Sequence, residues 1–416
     1  MSQNISAAGG LKGNAKQPDY RSTIHACYLG YVVQAIVNSF LPLLFITFEK
    51  QYGLSLRQVT LLTTFNFGLQ LLIDLLSAGF VDRIGYRAAV ILANAAAALG
   101  LLSITVLPDL LPSPMAGFVI SILIYAFGGG LMEVLISPIV ESCPTDNKEA
   151  EMSMLHSMYC WGVVAVVLIS TLFFHFFGIT NWKIMARLWI LVPAVDLLFF
   201  TRVPILPLIP EGEHGLTFRE LAGKSVFWLF FIMMLCAGAS EQAVSQWASA
   251  FAESGLHISK TMGDLLGTMM FSITMGTSRA IFGKFGDRLD LTRFMMFSAI
   301  LCVISYLMIS LGQSPAVGLA GCAVCGFAVG IFWPGTFSLA SAGIRNGGTL
   351  MFALYALAGD VGCMSGPTIA GQIAAANGNS LKIGILSAIG FPVMMLIGIL
   401  VLRRRKQNQN NPENRK

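Results

Sequence analysis

The chain's 416 residues are 55% hydrophobic and only 11% charged, with a mean hydropathy of +0.73. A water-soluble domain of this length could not bury so much apolar side chain, so the composition excludes a soluble globular enzyme and makes membrane lipid the main solvent. The formal net charge of +5 is modest and gathers on one side of the crossings, which reads as membrane topology and not as a nucleic-acid surface.

Residues 1–21 form a polar tail rich in Gly, Asn and Gln, and no cleavable signal peptide is expected before the first apolar run. Twelve mostly apolar stretches follow, near 22–48, 57–80, 87–107, 115–140, 153–177, 183–201, 225–252, 260–283, 292–312, 315–341, 347–374 and 380–402. Each is long enough for a helix to cross roughly 30 Å of hydrocarbon, and helices are required because a backbone in lipid must pair its polar groups within its own segment. Twelve crossings put both termini on one side. All but six of the 26 Lys and Arg lie in the two tails, the loops after even-numbered spans and the adjoining helix ends, so the expectation is a cell-membrane protein with cytoplasmic termini. The run Arg403-Arg404-Arg405-Lys406 then closes the last span beside anionic lipid.

The one long connection, 202–224, contains Pro204, Pro207 and Pro210 and divides the chain into six-helix bundles over 22–201 and 225–402, with a tail over 403–416. The halves repeat: Asp82-Arg83-Ile-Gly85-Tyr-Arg87 follows the second span, and Asp287-Arg288-Leu-Asp290 follows the eighth, 205 residues later. At a spacing of 200, Gly130 matches Gly330, Glu133 matches Trp333 and Gly162 matches Gly362. The expected fold class is therefore an all-α membrane protein with twelve transmembrane helices in two pseudo-symmetric bundles. Repeated halves of this kind form transporters that bind solute near the midplane and rock around it.

Polar residues inside apolar spans are the candidate site, because a charge at mid-bilayer costs roughly 2.5–3.5 kcal/mol on insertion scales. The first span carries Gln34 and Asn38, uncharged donors and acceptors suited to a polyhydroxylated solute and equally to interhelical bonding. Asn66, Gln70 and Asp74 recur every four residues on one face of the second span, and Asp74 and Arg279 stand at pseudo-equivalent positions, either as structural ion pairs or in coupling. Glu133 lies deep in the fourth span after Gly128-Gly129-Gly130, which would let a helix or a ligand approach the backbone. His156 and Tyr159 share a face of the fifth span. The seventh span offers Glu241, Gln242, Gln246 and Trp247, a carboxylate, two carboxamides and an indole such as a sugar site uses. Trp333 precedes Pro334, where a helix can bend, and Asp360 is too deep in the eleventh span to reach water by snorkelling. Coupling candidates are thus Glu133, Glu241, Asp360 and Asp74. The eight cysteines are scattered and form neither a disulfide framework nor a metal site, and no cofactor is expected.

Ala78-Gly-Phe-Val-Asp82-Arg83-Ile-Gly85-Tyr86-Arg87 resembles the G-x-x-x-D-R-x-G-R-[RK] motif of the major facilitator superfamily, and the second copy keeps Gly283, Asp287 and Arg288. Within that superfamily, Gly128-Gly-Gly130-Leu-Met-Glu133-Val-Leu-Ile-Ser137-Pro138 is similar to the fourth-helix motif G-x-G-x-x-E-x-x-x-N-P of the fucose-permease-like sugar transporters, with Ser137 in place of Asn. Ser39 stands where that family has a first-helix acid, and His156 and Tyr159 stand where it has Gln and Asn. The resemblance implies proton-coupled sugar uptake with Glu133 carrying the proton. Asp82, Arg83, Arg87, Asp287 and Arg288 are read as conformational latches. Proton-driven efflux and sodium-coupled sugar transport are the alternatives, and an intramembrane enzyme finds no H-E-x-x-H or G-x-S-x-G motif to support it.

Overall fold

The computed structural model describes residues 19–410 apart from 55, 209–213, 257–266, 268 and 379. The first half contains α1 (Tyr20–Ser39), a 3-10 turn (Leu41–Leu44), α2 (Phe45–Tyr52), α3 (Leu56–Ile84), α4 (Tyr86–Ser103), α5 (Leu107–Leu110), α6 (Pro114–Ser142), α7 (Lys148–Phe177), α8 (Trp182–Trp189) and α9 (Leu191–Phe200). After the short α10 (Phe218–Ala222), the second half contains α11 (Ser225–Leu256), α12 (Met270–Phe285), α13 (Leu291–Leu311), α14 (Pro315–Val329), α15 (Phe332–Gly343), α16 (Gly348–Ala376), α17 (Leu381–Ser387) and α18 (Gly390–Asn410).

These helices build two six-helix bundles, and nine helices among the described residues are long and apolar enough by themselves to cross a membrane. The other three expected spans are seen in part. The second, α3, is 29 residues long, and its apolar stretch among the described residues is Phe65–Ser77. The sixth is split into α8 and α9 at Ile190, since Pro193 has no N–H to offer the carbonyl of Trp189. The eighth falls partly outside the described residues and is seen as α12.

Helix α3 illustrates how composition sets orientation. Leu62, Asn66, Gln70, Ile73, Asp74, Ser77 and Val81 are buried at helical spacing, while Phe67, Leu72, Leu75 and Leu76 are exposed on the other side. The polar stripe faces protein and the apolar face meets lipid.

Glycines set the closest approaches. A Cβ at Gly128 would lie 2.6 Å from the Ala93 carbonyl of α4, one at Gly129 would lie 2.7 Å from Val37 of α1, and one at Gly130 would lie 3.0 Å from the Gln70 Cα of α3. The gap before Glu133 is therefore filled by three helices, and the alternative of ligand access along those glycines is set aside. In the second half, Gly362 and Gly366, one helical turn apart, press against the Leu235 and Ala239 carbonyls of α11.

Hydrogen bonds between the halves gather toward the face that carries both described ends, called here the terminal face. Tyr86 pairs with Thr349 (2.6 Å), Asn147 donates to Asp287 (2.8 Å) and Ser341 donates to Glu141 (2.8 Å). Deeper in, Ser153 and Ser157 donate to the Arg279 and Gly276 carbonyls (2.8 and 3.0 Å), joining α7 to α12. The terminal face is closed.

Gly362→Ala drives a methyl into the Leu235 carbonyl and is expected to lose about 1–3 kcal/mol of stability through overpacking. Gly68→Ala, with nothing within 4 Å of the added methyl, leaves stability unchanged or slightly raised. Thermal unfolding of the two variants in the same detergent checks the contrast.

Candidate functional site

Four helices of the first half bring their polar residues into one cluster. Gln34 of α1 donates to Glu133 of α6 at 2.7 Å, so the buried carboxamide is aimed at the acid. One turn along α1, Asn38 accepts from Gln70 (2.9 Å) and Asn66 (3.4 Å) of α3 and donates to the Tyr159 hydroxyl of α7 (3.4 Å). Beneath them Tyr31, Ser137 and His156 form a triangle with contacts of 3.0 and 3.4 Å, and Phe337 of the second half covers the imidazole at 5.9 Å between ring centres. Gln34, Asn66, Gln70 and His156 are buried, whereas Asn38, Glu133 and Tyr159 keep part of their surface open.

The second half answers with a cation. Arg279 of α12 is 3% exposed and spends its guanidinium in four directions. It donates to the Gly330 carbonyl (2.8 Å), the His156 carbonyl and Cys160 Sγ of α7 (3.1 Å each), and the Glu241 carboxylate of α11 (3.4 Å). The Gly330 carbonyl is free because Pro334, four residues on, has no N–H to give it, and the tenth span accordingly breaks between α14 and α15. The proline that was expected to permit a bend thus also creates an acceptor for a buried charge.

Not every candidate joins this cluster. Gln242 is half-buried beside Glu241, and Gln246 is exposed. Trp247 donates its N–H to the Pro367 carbonyl at 3.2 Å and its ring lies against Gly371, so it packs α11 on α16 instead of offering a free sugar-stacking plane. Trp333 is buried against Gly359 and Phe337 as a floor. Among the described residues Asp74 makes no ion pair, which speaks against the structural-pair reading for it, and it lies within hydrogen-bond reach of Asp360 from the other half.

Sequence reasoning passed over Asn94 and Asp196, which are both fully buried and bond at 2.8 Å inside the first half. Each is the isolated polar side chain of an otherwise apolar stretch, which is the signal that would have found them. On the face opposite the termini, Asp109 accepts from Tyr52 (2.8 Å) and from Lys183. The Lys183 ammonium holds the Asp109 carboxyl below the usual carboxylate range.

Residues 27–367 match the family model described as the Major Facilitator Superfamily. The chain belongs to that superfamily. Membrane protein MosC of Rhizobium meliloti is 23% identical over 296 residues, which is 71% of this chain and 70% of MosC. The E. coli fucose:proton symporter FucP superposes with a TM-score of 0.76 at 13% identity, covering 92% of this chain and 98% of FucP. The proton:xylose symporter XylE, solved with 6-bromo-6-deoxy-D-glucose, gives 0.76 at 14% identity over 92% of this chain and 95% of XylE. Identities this low speak for the shared transporter fold.

In this superfamily chain the Asp-Arg turns are tied in different ways. Arg87 donates to the Phe200 and Val203 carbonyls (2.6 and 2.8 Å), fastening the start of α4 to the end of α9. Asp287 crosses to Asn147, and Asp290 caps α13 through the Arg293 N–H. Arg83 and Arg288 are exposed, and the Asp82 side chain lies outside the described set.

Arg279→Gln strands the Glu241 carboxylate without its cation and is expected to cost about 3–5 kcal/mol. The double variant Arg279→Gln/Glu241→Gln recovers part of this, with a coupling above about 1 kcal/mol in a double-mutant cycle of unfolding in mixed micelles.

Proposed function

We propose that the chain is a secondary active transporter that moves a sugar or similar small polar solute together with a proton, by alternating access across the plasma membrane. In this reading the terminal face is cytoplasmic, and the closed state described above is open to the outside. The bundles over 22–201 and 225–402 are the two rocking bodies, joined by the 202–224 loop.

One observation carries the reading. Glu133 is an acid deep in a span, hydrogen-bonded by the neutral Gln34 and not by a cation, and partly open beside Asn38 and Tyr159. A carboxyl so placed can take a proton without breaking an ion pair, and when neutral it can donate to a solute hydroxyl. Asn38 and Tyr159 from the first half, and Glu241 and Gln242 from the second, supply further hydroxyl-binding groups, and the solute gap of this reading lies between them. Loading proton and solute together lets the neutral carrier rock inward, because solute and proton then each prefer the same state. The fold's likeness to two sugar:proton symporters supports the same solute class.

The test is uptake into proteoliposomes of a panel of labelled hexoses, deoxyhexoses, pentoses and disaccharides, with an inward proton gradient or an inward sodium gradient. Accumulation of one sugar above its outside level is expected with the proton gradient alone. Glu133→Gln is expected to lose this uphill accumulation and keep solute exchange. Undiminished accumulation by that variant would remove the proton role of Glu133, and accumulation driven only by sodium would replace the coupling ion.

A further inference from the structure

The second acid pair of the bundle has no part in the reading above. Asp74 on α3 has no exposed surface, and neither of its carboxylate oxygens meets a hydrogen-bond donor among the described residues. The donors nearest along its own helix are already committed, since Ser77 donates to the Asp74 main-chain carbonyl and Gln70 and Asn66 both point at Asn38. Across the seam, on α16 of the other half, Asp360 brings its carboxyl within hydrogen-bond reach of Asp74. The α3–α16 packing that joins them is direct.

Two carboxylates are both acceptors, so they can be hydrogen-bonded to each other only when one proton stands between them. Among the described residues the surroundings offer no cation to hold them together. Glu133 of α6 is a third acid facing both, Cys363 lies one turn along α16, and Glu241 of α11 is matched by Arg279 of α12. The described ion pairs are Lys148 with Glu141, Lys183 with Asp109 and Arg279 with Glu241. Four acids of this cluster thus share one arginine among the described residues, and that arginine is aimed at Glu241.

We propose that Asp74 and Asp360 hold one proton between them across the two halves, and that this shared proton latches the terminal face closed. The proton links the carboxyls as O–H···O while the halves are together. When the pair separates, it leaves to water on the terminal face, and the two anions then oppose reclosure. The sign follows: acid favours the closed terminal face, and rising pH favours the open one. This latch rests on the alternating-access reading and is independent of which solute is carried. It is also a different proton from the one assigned to Glu133.

The experiment is pulsed dipolar spectroscopy on the full chain in lipid nanodiscs, without solute, from acid to alkaline pH. Labels go on the exposed Arg202 and Arg404, near the terminal face of each half, through noncanonical amino acids because the eight native cysteines are unpaired. The short distance is expected to dominate in acid, with the open-to-closed ratio rising by up to tenfold per pH unit where the pair titrates. Asp360→Asn gives Asp74 a permanent amide donor and is expected to stay closed across the range. Asp74→Asn does the same from the other side and keeps the test decisive if one variant does not fold. A pH step in both Asn variants equal to that of the native chain would overturn the latch, as would no pH step in the native chain. A step that vanishes in Glu133→Gln and persists in Asp360→Asn would assign the proton to Glu133 instead. A distance change produced by sodium at constant pH, in place of the pH step, would overturn the proton assignment. Uptake is not read here, so failure of the latch leaves the solute reading to its own assay.

Discussion

The guanidinium of Arg279 is the group around which the closed state is assembled. A cation with 3% exposure inside a membrane bundle is tolerable only if its donors are filled, and its partners come from both halves. Glu241 and the Gly330 carbonyl are supplied by the second half, whereas the His156 carbonyl and Cys160 sulfur are supplied by the first. Opening the seam on the terminal face withdraws the two first-half acceptors. The charge then leans more heavily on Glu241, which links the seam to an acid bordering the gap.

The cluster around Glu133 in the first half is built of uncharged groups, and this decides what it can do. Apart from Glu133, its cluster consists of carboxamides, hydroxyls and an imidazole, each holding its neighbour in place. Buried Gln34 and Gln70 act as supports whose rotamers are fixed by packing and by their own bonds. The partly open Asn38, Glu133 and Tyr159 are what they support. In the proposed reading such a surface takes a neutral polar molecule without asking it to neutralise a charge, and changes by one proton at Glu133.

Much of this was legible in the sequence, and the limits are instructive. The apolar runs, the repeated Asp-Arg turns and the stripe of Asn66, Gln70 and Asp74 follow from period and composition, and the stripe does face protein. Glu133 and its partner Gln34 were each visible as polar side chains in apolar spans, but their contact joins residues 99 apart and required the fold. The same holds for Arg279, whose bond to His156 spans 123 residues. The three glycines before Glu133 were ambiguous because a missing Cβ admits a helix as readily as a ligand, and the packing of α1, α3 and α4 decided between them. Trp247 was ambiguous for the same kind of reason, since an indole packs on a glycine as well as on a pyranose.

The seam between α7 and α12 has a consequence for how easily the molecule changes shape. Cys160, Met154 and Ala150 lie over Gly276, Gly283 and Gly286, so at these three points α7 rests on bare backbone of α12 and its C-cap. The serine hydroxyls that cross it end on carbonyls lying within α12. Helical carbonyls of this kind keep their own ladder bonds, and a serine on a helix can turn back to the carbonyl one turn before it. When the two helices part, these serines leave no orphaned polar group, and the one group of the two helices that loses partners among the described residues is the Arg279 guanidinium, whose Nη1 gives up the His156 carbonyl and the Cys160 sulfur. The bonds that resist separation are therefore concentrated at one side chain, and the rest of the seam parts by losing contact area alone.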